Sequence, residues 1–302
     1  MTQVVGIGSA LFDMLMTSES FPKEDTKIQG VSTKTQCGGP CATALVAMSK
    51  LGVSSEYMGT VGDDMHGRFI LEQLGLYGVE TSNVRVIPGA ASFNSFVLCN
   101  ITNSSRTCIW NKGTVTPPDK KDVNLDVLKN AKYLHLDGHQ LDTAIYAAEQ
   151  AHKFGVKVSL DAGETYPGIE SLLPLVDVLI PSEEFALKIT GEQNAIKAAE
   201  ILQKKYHPEI LIITQGSKGG FIWQNGQEVR YPVLSVKAID SNGAGDTFHG
   251  AFVAARIKGM DIFEAAKFAS ATSALKCTRF GAQEGIPDFD EVLSFIKERE
   301  CV

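Results

Sequence analysis

The chain has 302 residues, 44% hydrophobic and 21% charged, enough apolar mass for a full core in one large domain with a small appendage. Lys and Arg number 28 against 35 Asp and Glu, so the formal charge is -7; with no basic block, a nucleic-acid surface is excluded in favour of, at most, a local site for a small anion. No run approaches the ~18 apolar residues of a membrane helix, and Cys37, Cys41, Cys99, Cys108, Cys277 and Cys301 are scattered without CxxC pairs, as expected of reduced thiols in a cytoplasmic protein.

In chain order, residues 1–16 are apolar, lack a cationic leader and are interrupted by Asp13, so they read as a strand entering a core and not as a signal peptide. Val4–Ile7 is the first β-branched run, and Tyr133–Leu136, 156–160, 178–180 and Ile210–Thr214 repeat the pattern. Short apolar runs ended by Gly, Asp or Pro suit strands buried on both faces. Helical patterns lie between them: 42–51 stops at Gly52, 143–154 at Gly155, and Ala195–Tyr206 before Pro208. This β-α-β-α order predicts a three-layer α/β/α domain with a mostly parallel sheet and ligands at its carboxyl ends.

Residues of about 14–35 and 90–113 break the rhythm. Alternation over 92–98, a turn at Asn103-Ser104-Ser105 and the run Thr107-Cys108-Ile109-Trp110 predict a hairpin. One wet face per strand implies a small β-sheet lid standing off the main core, the alternative being a decorated edge of the main sheet.

Common chemistries are mostly eliminated. Gly6-Ile7-Gly8-Ser9-Ala10-Leu11 has two glycines of a dinucleotide loop but Leu11 in the third place, and no GxxxxGK[ST], GxSxG or HExxH occurs. His135, Asp137 and His139 alternate and read as ordinary polar residues at a strand's carboxyl end rather than a metal pair.

The chemistry concentrates in Asp240-Ser241-Asn242-Gly243-Ala244-Gly245-Asp246-Thr247-Phe248-His249-Gly250-Ala251-Phe252. Small residues at 243–245 let consecutive backbone N–H groups point into one cavity, and the following helix adds the positive end of its dipole, which suits an oxyanion or phosphate. Asp246 comes next. As an isolated carboxylate it is a helix N-cap or, alternatively, a general base that takes a proton from an alcohol as phosphate arrives, a role worth ~10²–10⁴-fold.

This segment resembles the second signature, DTxGAGDxFxGA, of the ribokinase-like (PfkB-type) carbohydrate kinases. The resemblance extends along nearly the whole chain. Gly38-Gly39-Pro40-Cys41-Ala42-Thr43-Ala44 is similar to the GGxxxN motif, Val61-Gly62-Asp63-Asp64 with Gly67 to VGxDxxG, Thr214-Gln215-Gly216-Ser217-Lys218-Gly219 to TxGxxG, and 277–287 to the closing TRxGAxxxxP segment. It implies one ribokinase-like domain over residues 1–302, with Asp246 as the base and Gly243, Ala244 and Gly245 as the anion hole. Asp13, Gly38, Gly39 and Thr43 would hold the sugar; apart from the resemblance, the lid residues Asn94, Arg106 and Asn111 are candidate secondary contacts or else plain surface, and His139 a candidate contact to a hydroxyl or, when protonated, an anion. Ser182, Thr214, Gly216, Ser217, Gly219 and Ser270 would line an ATP site, and Asp240 and Gly281 a monovalent cation (K+) site. Mg2+ would fall to Glu183 or Glu184, because Ser182 and Phe185 replace the Asn and Glu of the family's NxxE motif. Thr43 and Ser270 likewise replace family asparagines.

The strand end at Tyr133 to His139 resembles that of ketohexokinases, while GGPCATA and ALKCTR resemble the sulfofructose kinase branch. A sulfonate reader is expected to present a fixed Arg, whose planar fork meets an oxyanion with paired donors, and His139 stands at that place instead. The leading expectation is therefore γ-phosphoryl transfer from Mg-ATP to a hydroxymethyl of a neutral ketohexose such as fructose. The alternatives are 6-deoxy-6-sulfofructose, ribose or a nucleoside as acceptor, or a sugar-sensing pseudokinase. A homodimer paired through the lid is also expected.

Overall fold

The structure is a computed structural model and describes residues 1–103 and 105–300; Ser104, at the expected hairpin turn, and Cys301 lie outside the described residues. Strands are numbered in chain order. An eight-stranded sheet contains β1 (Val4–Ile7), β4 (Ser55–Tyr57), β9 (Tyr133–Leu136), β10 (Lys157–Ala162), β11 (Val178–Pro181), β12 (Ile210–Thr214), β13 (Gly220–Gln224) and β14 (Gln227–Arg230). Its order is β14-β13-β12-β11-β10-β9-β1-β4, parallel from β12 to β4 and antiparallel at the β12-β13-β14 edge.

The apolar runs form strands because both faces are covered. Val4, Val178, Ile180, Ile210 and Ile212 point into one core layer with helices α1 (Pro40–Lys50), α2 (Met65–Leu76), α7 (Ala244–Ile257), α8 (Ile262–Cys277) and α9 (Phe289–Glu300). Their neighbours Val5, Leu179, Leu211 and Ile213 point the other way, against α4 (Leu141–Phe154), α5 (Glu183–Thr190) and α6 (Ala195–Tyr206). A short α3 (Leu125–Leu128) precedes β9. The period of two thus splits one sheet into two cores, the ribokinase-like three-layer arrangement.

The two irregular segments form a separate four-stranded sheet, ordered β3-β2-β7-β8, from β2 (Leu11–Ser18), β3 (Ser32–Gly38), β7 (Asn94–Asn100) and β8 (Arg106–Asn111). Strands run 11–18, 32–38, 94–100 and 106–111 where 14–35 and 90–113 were expected; the ordered pairing starts earlier, at Leu11, and ends later, at Gly38. Edge strand β8 is exposed at all six positions. A two-stranded sheet, β5 (Thr60–Gly62) with β6 (Arg85–Ile87), and the β13-β14 hairpin have no counterpart in the sequence reading. Among the described residues, no helix is long and apolar enough to cross a membrane.

Candidate active site

The parallel strands deliver their last residues to one end of the sheet, where the 240–246 loop arrives from the other direction. Gly243, the residue before α7, has φ 76°, in the left-handed region that favours glycine, and a Cβ there would lie 2.9 Å from Ala282 Cβ. Thr247 donates to the Gly243 carbonyl from both its N–H (2.9 Å) and its hydroxyl (2.7 Å), which locks the first turn. The Ala244 N–H is spent on Ser241 O at 3.2 Å. The donors left for an anion are therefore the N–H groups of Gly243 and Gly245, which have no partner among the described residues, at the positive end of a 14-residue helix.

Asp246 does not cap α7; the cap position is Gly243, which has no side chain to do so. The Asp246 carboxyl is pushed up to about 7, first by burial, then by the negative charge of Asp161 and Asp137, with His249 opposing. Behind it, His249 Nε2 lies 3.1 Å from Asp161 Oδ1, both being nearly inaccessible. His249 follows Asp246 by three residues and so shares its side of the helix. His135, fully buried beside His249 with ring centroids 6.3 Å apart, is lowered to about 4 by burial.

Asp137, just beyond β9, ties the strand ends together. Its carboxylate accepts from Ser9 N (2.8 Å), Ser9 Oγ (2.7 Å), Cys41 N (3.2 Å) and His139 N (3.0 Å). The His139 ring meets the Tyr166 hydroxyl at 2.8 Å and lies 6.4 Å from Phe93, which in turn packs on Trp110 of β8. Asp13, only 7% exposed, accepts from the Ser95 hydroxyl and stands opposite Gln36 in the sheet register. Burial raises its pKa, against the hydrogen bonds from Ser95 and Gln36. Any side chain at position 38 would collide with Asp13 Oδ2, so the carboxylate rests directly on the β3 backbone. Gly39 follows as the residue before α1.

Other expected sugar contacts are engaged elsewhere. Thr43 is fully buried beneath Gly243, its hydroxyl reached by Gln283 Nε2 at 3.4 Å. Asn111 is exposed and accepts from Gly113 N at 2.9 Å, Asn94 donates to Ser92 O at 3.0 Å, and Arg106 bonds Asn242 Oδ1 at 3.2 Å.

On the other side of the 243–245 loop lies a cavity of about 630 Å³. Thr214, Gly216, Ser217 and Gly219 line one wall, and Ala244, Gly245 and Ser270 the other. Gly245 therefore opens on this cavity while Asp246, one residue on, feels the carboxylates at the ends of β9 and β10. Ser182 stands outside the lining: it caps α5 by accepting from Phe185 N at 3.1 Å and bonds Gly163 O at 3.1 Å.

No group of three or more His, Cys, Asp or Glu side chains converges as a metal site among the described residues. Glu184 is exposed, and Glu183 accepts from Gln215 Nε2 at 2.7 Å beside Gly216, which makes Glu183 the nearer carboxylate to the cavity. The expectation of cation ligands at Asp240 and Gly281 meets a different arrangement. The Asp240 carboxylate accepts from Asn242 N (2.8 Å) and Gly281 N (2.9 Å), and the main-chain carbonyls of Asp240 (2.9 Å) and Asn242 receive the ammonium of Lys276.

Sequence reasoning assigned no role to Lys276, Asp161, His249, Asp137 as a hub, or Tyr166. The usable signals were a lone lysine in the otherwise uncharged stretch 268–278, and a histidine three residues after Asp246.

A sheet whose carboxyl ends carry a helix-borne anion loop, a carboxylate beside it and a nucleotide-sized cavity belongs to an enzyme that handles phosphate. The sequence profile of the pfkB family carbohydrate kinases matches residues 1–288, and the chain belongs to that family. It is a phosphotransferase acting on a sugar hydroxyl. It is 30% identical over 307 residues to the ribokinase of Haemophilus influenzae, covering 96% of this chain and 97% of that protein. It is 28% identical over 302 residues to the deoxyribokinase of Salmonella typhi, covering 97% and 98%. The structure of Arabidopsis thaliana ribokinase complexed with ribose and ATP superposes with a TM-score of 0.86 at 27% identity, covering 98% of this chain and 99% of that one.

Proposed function

We propose that this kinase transfers the γ-phosphoryl group of ATP to the hydroxymethyl of a pentose of the ribose and deoxyribose class. The observation that carries the chemistry is the adjacency of Asp246 to the unpaired N–H groups of the 243–245 loop, which opens on a cavity of nucleotide size. The full-length relatives favour ribose over the ketohexose that the ketohexokinase-like strand end suggested. The His139–Tyr166 pair, standing where a sulfonate reader would present a guanidinium, speaks against a sulfo-sugar.

In this reading Asp13 accepts from sugar hydroxyls, with Gly38 and Gly39 close by. Asp246 takes the proton of the attacking hydroxyl, a task for which a carboxyl raised to about 7 is well matched. The Gly243 and Gly245 donors receive the charge of the transferring group, each at roughly 2.7–4 kcal/mol. Glu183, the carboxylate nearest the cavity, would hold Mg2+ on the protein side, and the ion, when bound, would neutralise charge on the phosphates. Thr214, Gly216, Ser217, Gly219 and Ser270 enclose the nucleotide. The exposed edge β8, with Ile109 70% and Trp110 59% accessible, supports pairing with a second copy across a two-fold. The described cysteines are all free, which supports a reducing compartment such as the cytoplasm.

The test is ADP release over ribose, 2-deoxyribose, fructose, 6-deoxy-6-sulfofructose and adenosine, with the product's phosphate located by phosphorus NMR. Ribose or deoxyribose is expected to exceed fructose at least tenfold in kcat/KM. A higher value for fructose or the sulfo-sugar would replace the pentose, and sugar binding without turnover of any of them would make the protein a sensor.

A further inference from the structure

The monovalent-cation site that the family resemblance implies does not fit this chain, because Lys276 already fills it. Lys276 lies in the last turn of α8 with no exposed surface, and its ammonium donates to the carbonyls of Asp240 and Asn242. We infer that this tethered ammonium is a built-in substitute for a bound monovalent cation, so that the enzyme needs none.

The main-chain carbonyls of Asp240 and Asn242 converge on a single point inside the protein, and inward-facing carbonyl dipoles there require a positive partner. A lysine ammonium supplies one charge and several donors from a point group, as a bare monovalent ion would. Burial lowers the Lys276 pKa, and the charge is kept by what it meets: the nearby Asp240 carboxylate, the two carbonyls and the negative end of α8.

The consequence reaches the anion loop through peptide geometry. In a trans peptide the C=O and the following N–H point in opposite directions. Drawing the Asn242 carbonyl onto the Lys276 ammonium therefore turns the Gly243 N–H the other way, and that N–H is one of the two without a protein partner. The same loop is braced from Asp240, whose carboxylate holds Asn242 N and Gly281 N, and whose own N–H, like that of Ile239, bonds Cys277 O at the end of α8. Lys276 is thus a positioning residue: it touches no substrate and acts by aiming a main-chain donor.

The experiment compares wild type, Lys276→Ala and Lys276→Met in potassium, ammonium or tetramethylammonium chloride at equal ionic strength. Turnover is measured with whichever sugar is accepted, and the thermal midpoint is measured without substrate. Wild type should change less than twofold in turnover across the three salts. Lys276→Ala opens the space and should lose at least tenfold in kcat, recovering at least fivefold in potassium or ammonium but not in tetramethylammonium, with a matching rise in its thermal midpoint. Lys276→Met fills the same space without charge and should lose turnover with no recovery in any salt, a pattern that a purely packing role would not produce. The inference is overturned if wild type requires potassium or ammonium by more than fivefold, or if Lys276→Met turns over within twofold of wild type. Equal recovery of Lys276→Ala in all three salts would also overturn it. Should Lys276→Ala not fold, the wild-type and Lys276→Met arms still decide. The thermal measurement needs no sugar, so an error in the pentose reading would leave this result intact.

Discussion

At the carboxyl ends of the main sheet, polar groups are held from several sides: Asp137 accepts four hydrogen bonds, and Asp161 pairs with His249. The small sheet differs. Asp13 is buried within it, yet its edge strand β8 is exposed throughout and reaches the rest of the molecule through contacts such as Arg106 with Asn242. Groups meant to stabilise a transition state work best when they need not reorganise, whereas a sheet that admits and releases substrate works best with weak ties. Proton and charge handling should therefore belong to the main sheet, and capture of the sugar to the small one.

The sharpest way to break that division is Asp246→Asn. It should lower kcat by ~10²–10⁴-fold while sugar affinity, measured by calorimetry, stays within about threefold. A loss below tenfold would remove the base from the main sheet. Stability should move the opposite way. A carboxyl whose folded pKa is raised to about 7 binds its proton more tightly folded than unfolded. Its favourable contribution is present at low pH and is lost as pH rises through 7. The Asn variant should therefore melt above wild type at pH 8, and the gap should close as pH falls toward 4.

A second prediction sharpens the comparison by pH alone. Because Asp246 must be ionised to act, log kcat/KM should fall with unit slope below about pH 7, roughly tenfold by pH 6. An acid limb near 4 would mean that neither burial nor the charges of Asp161 and Asp137 act on this carboxyl.

How much of this was legible in the sequence follows the same boundary. The doubly buried strands announced themselves because runs such as Val4–Ile7 and 210–213 can lack polar side chains throughout only if both faces are covered. The 243–245 loop was legible because small residues before an apolar helix admit few other uses. Tertiary partnerships were not legible. Thr43 looked like a sugar contact until it lay beneath Gly243, and Asp161 meets His249 only because β10 and α7 are brought together from 88 positions apart in the chain. Lys276 was hidden for a related reason. A lysine in a helix reads as a solvated charge, and only the fold shows two carbonyls waiting at its end.

The smallest expected effect tests the small sheet directly. Arg106 is exposed, and its bond to Asn242 Oδ1 at 3.2 Å is a contact between the edge strand and the loop that leads to α7. An exposed hydrogen bond of this kind contributes on the order of 1 kcal/mol at most, because a long side chain must be held in place in competition with water. Arg106→Ala should therefore reduce kcat/KM for the sugar by no more than about fivefold. The loss should fall on KM, with kcat changing less than twofold, since Asp246 and the Gly243 and Gly245 donors are untouched. Because a loosened sheet admits water, hydrolysis of ATP without sugar should rise relative to wild type. If kcat instead fell more than tenfold at constant KM, Arg106 would be acting on the transferring phosphoryl group. The contrast between a fixed catalytic end and a weakly tied sheet would then fail.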